Sequence, residues 1–349
     1  MATYLEDGRP GPAPEARTTQ SLAYALLGPG FLYYLTGDPE LLDFIVAVKD
    51  HIFSRYWSDE RQELRWANAA TGDDSRDRRE LVAQLDQINA YLLLLAPLLP
   101  DPDQRDAWRG DLRRLADVIL RDDHDPARHR FHGYLHDPRG RQWGERHNDF
   151  GHTGKAYWML ERTGRLLGDQ AMVDLARAGL ADVLSAALVP CHLRGAPPWQ
   201  RTAMARAAAA DSTYWVWSNQ PDGLGIAWWE WAELDQAAMT LALDQPRWLA
   251  ALDLTLPVWF ATMVDPATGA VVAFPGAGGG PLAHQWQNGY HAAEHALVGY
   301  ITAAMVGGES WRLYYAPVND RHPLRAYFFE AELEHRRLQD GRVEAWFHR

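Results

Sequence analysis

The residues best suited to chemistry fall in three short stretches: Phe150-Gly151-His152, Trp228-Trp229 with Glu233, and Trp286 followed by Tyr290-His291-Ala292-Ala293-Glu294-His295. An imidazole with a pKa of about 6.5 is a base when neutral and an acid when protonated over the same pH range. His152 and His291, brought to one cavity, would therefore make a proton-transfer pair that works near neutral pH. Trp228, Trp229, Trp286 and Tyr290 offer flat surfaces on which an apolar-faced ring can stack, and Glu230, Glu233, Asp149 and Lys155 offer polar contacts to orient it.

Other combinations of the same residues spell other reactions. His291-Ala292-Ala293-Glu294-His295 fits H-x-x-E-H, in which two histidines one helical turn apart bind zinc and the glutamate is the base. Glu330, Glu332 or Glu334 would then be the third ligand, and Trp286 and Tyr290 would have no role. Asp149, Glu230 and Glu233 could supply the carboxylate pair of a glycoside hydrolase. A buried acid such as Asp149 among tryptophans could instead protonate an isoprenoid in a cyclase, with aromatic faces shielding the cation. Asp73-Asp74-Ser75-Arg76-Asp77 spells DDxxD but lies in a polar stretch that reads as an exposed turn. His132 and His136 are four apart, yet Gly133 and Asp137-Pro138 argue against a helix there. Cys191, the only cysteine, excludes an intrachain disulfide and reads as a small buried residue beside Pro190.

Helices must position these side chains. Apolar residues three and four apart recur around residues 40–55, 79–98, 104–121, 150–167, 170–187, 228–243, 246–263, 290–306 and 323–337. The helix after Asp149 is bounded at both ends: Asp149 stands at the N-cap, a position worth about 1 kcal/mol, and Gly168 stands where a left-handed C-terminal residue belongs. Turn chemistry at Ser58-Asp59-Glu60, Asp137-Pro138-Arg139-Gly140, Asp265-Pro266-Ala267-Thr268-Gly269 and Gln339-Asp340-Gly341, flanked by aromatic or β-branched residues, predicts small hairpins among the helices. Continuous β-branched runs of buried parallel strands are missing, which disfavours a doubly wound α/β sheet.

The chain has 349 residues, 47% of them hydrophobic and 23% charged, a composition suited to a globular fold. Its net charge of -12 argues against nucleic-acid binding, which depends on clustered Lys and Arg. The N-terminal stretch has acids, prolines and glycines without a basic start and apolar run, so it reads as a tail, not a signal peptide. The longest apolar run, Tyr91 to Pro100, is too short to cross a bilayer. The expectation is a cytoplasmic protein with a small-molecule substrate, no metal or other cofactor, and neither nucleic acid nor membrane as partner; a homodimer is one assembly compatible with it.

Together, and in this order, the three stretches resemble the N-acylglucosamine 2-epimerase and cellobiose 2-epimerase superfamily. There the first motif runs approximately Tyr-Gly-His-Asp-Ile-Glu followed by Trp, the second Trp-Trp-x-Gln-Ala-Glu, the third Trp-Lys-x-Pro-Tyr-His. Here they read Phe150-Gly151-His152-Thr153-Gly154-Lys155-Ala156-Tyr157-Trp158, Trp228-Trp229-Glu230-Trp231-Ala232-Glu233, and Trp286-Gln287-Asn288-Gly289-Tyr290-His291. The resemblance runs from roughly residue 80 to the C-terminus. It implies an all-α (α/α)6 barrel with short hairpins on one rim, spanning residues 21–349 as one domain after a flexible tail of residues 1–20. It also implies proton transfer at C2 of a reducing sugar between His152 and His291, with Trp229, Glu233, Trp286 and Tyr290 shaping the pocket. Four departures stand out: Lys155 replaces an acid, Asp86 and Glu294 stand where arginines are expected, and no histidine occurs around Asn89-Ala90-Tyr91-Leu92-Leu93. Lys155 then becomes the first candidate for stabilising an enediolate. The alternatives are an (α/α)6 glycoside hydrolase or terpenoid-type cyclase using Asp149 or Glu230/Glu233, and a non-catalytic sugar-binding barrel.

Overall fold

The computed structural model describes residues 17–68, 78–133, 147–192, 213–221, 226–274, 289–319 and 321–349. Antiparallel helix pairs dominate it. α1 (Thr19–Thr36) and α2 (Pro39–Tyr56) form the first pair. α3 starts as Leu81–Gln87 and runs on through a π-helical turn (Ile88–Leu92) and Leu93–Leu95; α4 (Pro102–Val118) returns beside it. α5 (Phe150–Leu167) pairs with α6 (Gln170–Ala187), and α7 (Trp228–Ala242) with α8 (Arg247–Thr262), before α9 (Tyr290–Gly307).

Burial divides these helices into two layers. α3, α5 and α7 are buried along almost their whole length, whereas α2, α4, α6 and α8 bury one face each. α3 packs on α1, α5 on α7, and α7 on α9, so the buried helices lie side by side with their partners outside. Leu81–Leu98 is long and apolar enough to cross a membrane, but 94% of that stretch is buried inside the protein, as expected of a central core helix.

Short connections enforce the pairing. Gly168 takes the left-handed conformation (φ 70°) and its N–H returns to the carbonyls of Gly164 and Arg165; Asp169 then caps α6 by accepting from the Met172 amide. A two-residue turn leaves α6 no course but back along α5.

Gly151 acts differently, by allowing close approach. A Cβ there would lie 2.8 to 3.0 Å from Cγ, Cβ and Cα of Glu230, so the start of α5 sits against the start of α7 only because the side chain is missing. Gly151→Ala is expected to cost about 1–3 kcal/mol by overpacking, read as a lower midpoint of denaturant unfolding; an unchanged midpoint would mean that the two helix starts can move apart freely.

The strands are local. β1 (Trp57–Ser58) pairs with β2 (Glu63–Leu64), β3 (His124–Asp125) with β4 (Arg130–Phe131), and β5 (Leu188–His192) with β6 (Thr213–Trp217). β7 (Trp311–Tyr315), β8 (Glu332–Gln339) and β9 (Arg342–His348) form one antiparallel sheet in the order β7-β9-β8. This sheet joins the end of α1: the Ala316 and Val318 amides donate to the carbonyls of Leu35 and Thr36, and the hydroxyls of Tyr34 and Tyr315 are 3.0 Å apart.

Several sequence expectations need correction. The helix expected over 323–337 is irregular chain followed by strand β8, because Arg342 to His348 supplies a pairing edge that local periodicity cannot reveal. The segment 19–36, given no helix from its pattern, is α1, and its start falls inside the tail drawn at residues 1–20; Thr18 caps it, and Thr19 donates to the Trp66 carbonyl. The hairpins at Ser58-Asp59-Glu60 and Gln339-Asp340-Gly341 form, while Asp265 to Gly269 closes only a single bridge between Val264 and Val271. The turn expected at Asp137 to Gly140 lies outside the described residues.

Candidate active site

Asp149 does two jobs at the start of α5. One carboxylate oxygen accepts from the His152 amide at 2.7 Å as the N-cap, and the other accepts from His152 Nδ1 at 2.6 Å. The cap thereby fixes the imidazole's orientation and tautomer and leaves Nε2 as the nitrogen able to act on a substrate. Burial lowers the His152 pKa below its ordinary value, with the His147 and Lys155 charges adding to burial and Asp149 opposing it. Burial alone would push the Asp149 carboxyl up, but the His152 ring and amide hold it below the usual carboxylate range.

On α9, His291 makes an equivalent contact. Its Nδ1 lies 3.1 Å from Glu233 Oε1 on α7, and the ring is nearly buried. Trp229 links the two histidines: its indole is 4.5 Å from the His152 ring, edge-on, and 6.0 Å from the His291 ring. Tyr290 packs edge-on to His291 at 5.2 Å. The site thus holds two histidine–carboxylate pairs, each engaged through Nδ1, on a common indole.

A second carboxylate lies beside His291. Ligating atoms of Glu233, His291 and Glu294 all lie within 4.8 Å of one another. Glu294 Oε1 accepts hydroxyl hydrogen bonds from Tyr290 (2.9 Å) and Tyr327, and the Tyr290 hydroxyl also lies 3.2 Å from Asn89 Oδ1. Burial, reinforced by the Glu233 charge and opposed by the tyrosine hydroxyls and Lys155, pushes the Glu294 carboxyl up to about 8. It is therefore protonated at neutral pH, and one proton relieves the repulsion between two buried acids.

A folded-state pKa of about 8 against an ordinary 4.5 stabilises the fold fully below the ordinary value and progressively less as pH rises through about 8. Glu294→Gln, which mimics the protonated acid, is expected to melt higher than the parent by on the order of a few degrees at alkaline pH and to match it in acid. Parallel melting curves across the whole range would show that Glu294 does not hold this proton.

Lys155 and Asp86, each a departure from the family pattern, prove to be one feature. Lys155 Nζ is 2.8 Å from Asp86 Oδ1, with only 3% and 1% of the side chains exposed, and Gln20 donates to the other Asp86 oxygen at 2.9 Å. The expected arginine near 86 and acid at 155 have exchanged sign together. The Lys155 ammonium is held charged: burial opposes it, but Asp86, Tyr24 and Glu233 outweigh burial.

The remaining expected residues divide. Glu230 reaches back to the Ala227 amide at 2.6 Å and so closes the start of its own helix; burial, then the Asp149 charge, push its carboxyl well above the usual range. Trp228 is buried in the core at 3% exposure, whereas Trp229 is only partly buried and meets both histidines. Trp286, His136 and the DDxxD stretch lie outside the described residues.

The H-x-x-E-H reading fails on geometry. His295 points away from His291, to Asp235 Oδ2 at 2.9 Å; Asp235 also accepts from Trp217 Nε1 and Thr255 Oγ1. Glu330 and Glu332 are 71% and 85% exposed, and Glu334 accepts from Ser310. Cys191 is buried in β5.

Sequence reasoning missed His147, Glu80, Tyr327 and Asn89. His147 stands five residues before His152 in a stretch without periodicity, and its ring centroid is 4.6 Å from that of His152. Its proximity to the first motif was the only signal available.

No protein-family model matches the chain, and no curated protein matches its sequence. Solved structures do match. The cellobiose 2-epimerase from Spirochaeta thermophila DSM 6192 aligns over 86% of this chain and 73% of its own, at 17% identity and a TM-score of 0.62. A D-mannose isomerase aligns over 82% and 71% at 13% identity and 0.59. A family 76 glycoside hydrolase from a bovine Bacteroides thetaiotaomicron strain aligns over 85% and 59% at 11% identity and 0.56. At these identities the likeness is one of fold: the chain has the mostly helical fold of sugar epimerases and isomerases, in divergent form.

Proposed function

We propose that this chain is a sugar 2-epimerase or aldose–ketose isomerase, acting at C2 of an open-chain reducing sugar inside a closed (α/α)6 barrel that begins with α1. The observation that carries the proposal is the pair of imidazoles on Trp229, each engaged by its own carboxylate through Nδ1. One Nε2 removes the weakly acidic C2 proton, and the electron pair forms an enediolate. Reprotonation of C2 from the other imidazole's side inverts the centre; reprotonation at C1 gives a ketose. Trp229 and Tyr290 provide the stacking surface, and no metal enters any step. That this fold serves a cellobiose 2-epimerase and a D-mannose isomerase supports the reading.

Incubation with free aldoses in heavy water tests it, with loss of the C2–H signal as the readout. Exchange with at least one common aldose is expected; none with any would overturn the proposal. Stoichiometric metal in the purified protein, lost in Glu294→Gln, would replace it with a metal-centred reaction at Glu233, His291 and Glu294.

A glycoside hydrolase is the second reading, favoured by the Asp149–Glu230 pair, in which one carboxyl is held low and its neighbour high, as cleavage requires. Release of reducing ends from a glycoside, lost in Glu230→Gln, would establish it.

A further inference from the structure

We propose that His147 is a third catalytic imidazole, the hydrogen-bond donor to the sugar oxygen on which negative charge builds when His152 removes the C2 proton. This rests on the epimerase or isomerase reading of the site.

His147 is held for such a task. It sits two residues before the Asp149 cap with its backbone in the left-handed region (φ 62°), a conformation that costs energy in a non-glycine residue and accumulates at functional sites. Its ring faces that of His152 at 4.6 Å, on an imidazole that Trp229 also contacts. Its Nδ1 is 3.0 Å from Glu80 Oε2, and Glu80 is fully buried and braced by the Arg78 guanidinium, which lies over the Trp66 ring at 5.0 Å. With Nδ1 committed to Glu80, Nε2–H is the donor left for a ligand. The side chain is 26% exposed, against 12% for His152 and 3% for Lys155. Lys155, the cation suggested by the sequence, is buried against Asp86 at 2.8 Å.

Charge separates the two neighbours into donor and base. The groups facing His147 are Glu80 from the segment before α3, Asp86 from α3, and Asp149 and His152 at the start of α5. Burial alone would lower the His147 pKa, but Glu80, Asp149 and Asp86 raise it; burial and the His147 charge lower that of His152. His147 thus holds its proton more tightly than His152 does, the pattern of an acid beside a base. When His152 takes the C2 proton, the C–H electron pair becomes the C1–C2 double bond and the carbonyl pair moves onto O1, where His147 donates. Return of the proton to carbon restores the carbonyl and the His147 N–H, so nothing is consumed.

His147→Asn is the informative variant, because asparagine tolerates the left-handed backbone while removing the cation. Turnover for C2 exchange in heavy water is expected to fall by on the order of 10²–10³-fold, with KM changed much less. Glu80→Gln is expected to move the alkaline limb of the pH–rate profile to lower pH. Parent-like turnover in His147→Asn, or an unmoved limb in Glu80→Gln, would overturn the assignment. Exchange that needs His152 and His291 but not His147 would overturn it alone, whereas no exchange in the parent would overturn the reading beneath it.

Discussion

His291→Ala is expected to lower the rate of deuterium incorporation at C2 by about 10³-fold or more, as befits the loss of a general acid–base residue. The ring is 5% exposed, oriented by Glu233, and in contact with the same indole as His152, so no solvent-borne group can stand in for it. His295, one turn along the same helix, is the control. It serves Asp235 with Trp217 and Thr255, and its replacement by alanine deprives that buried carboxylate of one donor, at about 1–3 kcal/mol of stability. His295→Ala should therefore unfold at lower denaturant concentration yet exchange C2 within a few-fold of the parent rate. Equal losses of exchange in both variants would mean that α9 matters only as a packed element.

The second large effect is one of stability. Lys155→Met takes from Asp86, 1% exposed, its ion-pair partner and leaves Gln20 as a hydrogen-bond donor, and Asp86→Asn takes from the ammonium the largest of the charges that hold it; either is expected to cost about 3–5 kcal/mol. The reversed pair, Asp86→Arg with Lys155→Glu, restores the charges in the arrangement that the epimerase pattern describes. Denaturant unfolding of both singles, both reversals and the double should give a coupling energy near the upper end of about 0.5–3 kcal/mol. Additive losses would show that the two groups do not depend on one another. Because the pair also borders Glu233 electrostatically, C2 exchange in the double reports whether a cation at position 155 itself is needed.

Helix placement was legible wherever an amphipathic stripe faced a core, as in α2 and α4 to α8, because a 3.6-residue period survives in the sequence whatever the partner is. It failed at α1, where Leu26, Tyr33 and Tyr34 are buried among many other apolar residues and no stripe stands out. It failed again at β8, whose eight residues are all exposed and read as a polar helix until β9 is present to pair with them. Among site residues, His152 and His291 could be named because each stands at a fixed place in a short sequence motif, near the start of α5 and α9. Their carboxylates were only half visible. Asp149 looked like a cap and proved also to engage the His152 ring, and Glu233, named as a pocket acid, proved to engage His291.

By itself, the sequence determined most of the helices, the turn at Gly168-Asp169 and the two candidate imidazoles, all properties of segments a few turns long. Only the tertiary structure decided how those segments combine: that Asp86 answers Lys155, that His295 turns to Asp235 instead of a metal, and that His147 and Glu80, 67 residues apart, meet beside His152. Ion pairs and hydrogen bonds act over a few ångströms in space with no regard for separation along the chain, so they leave no period to read. They exist only once packing has brought the helices together.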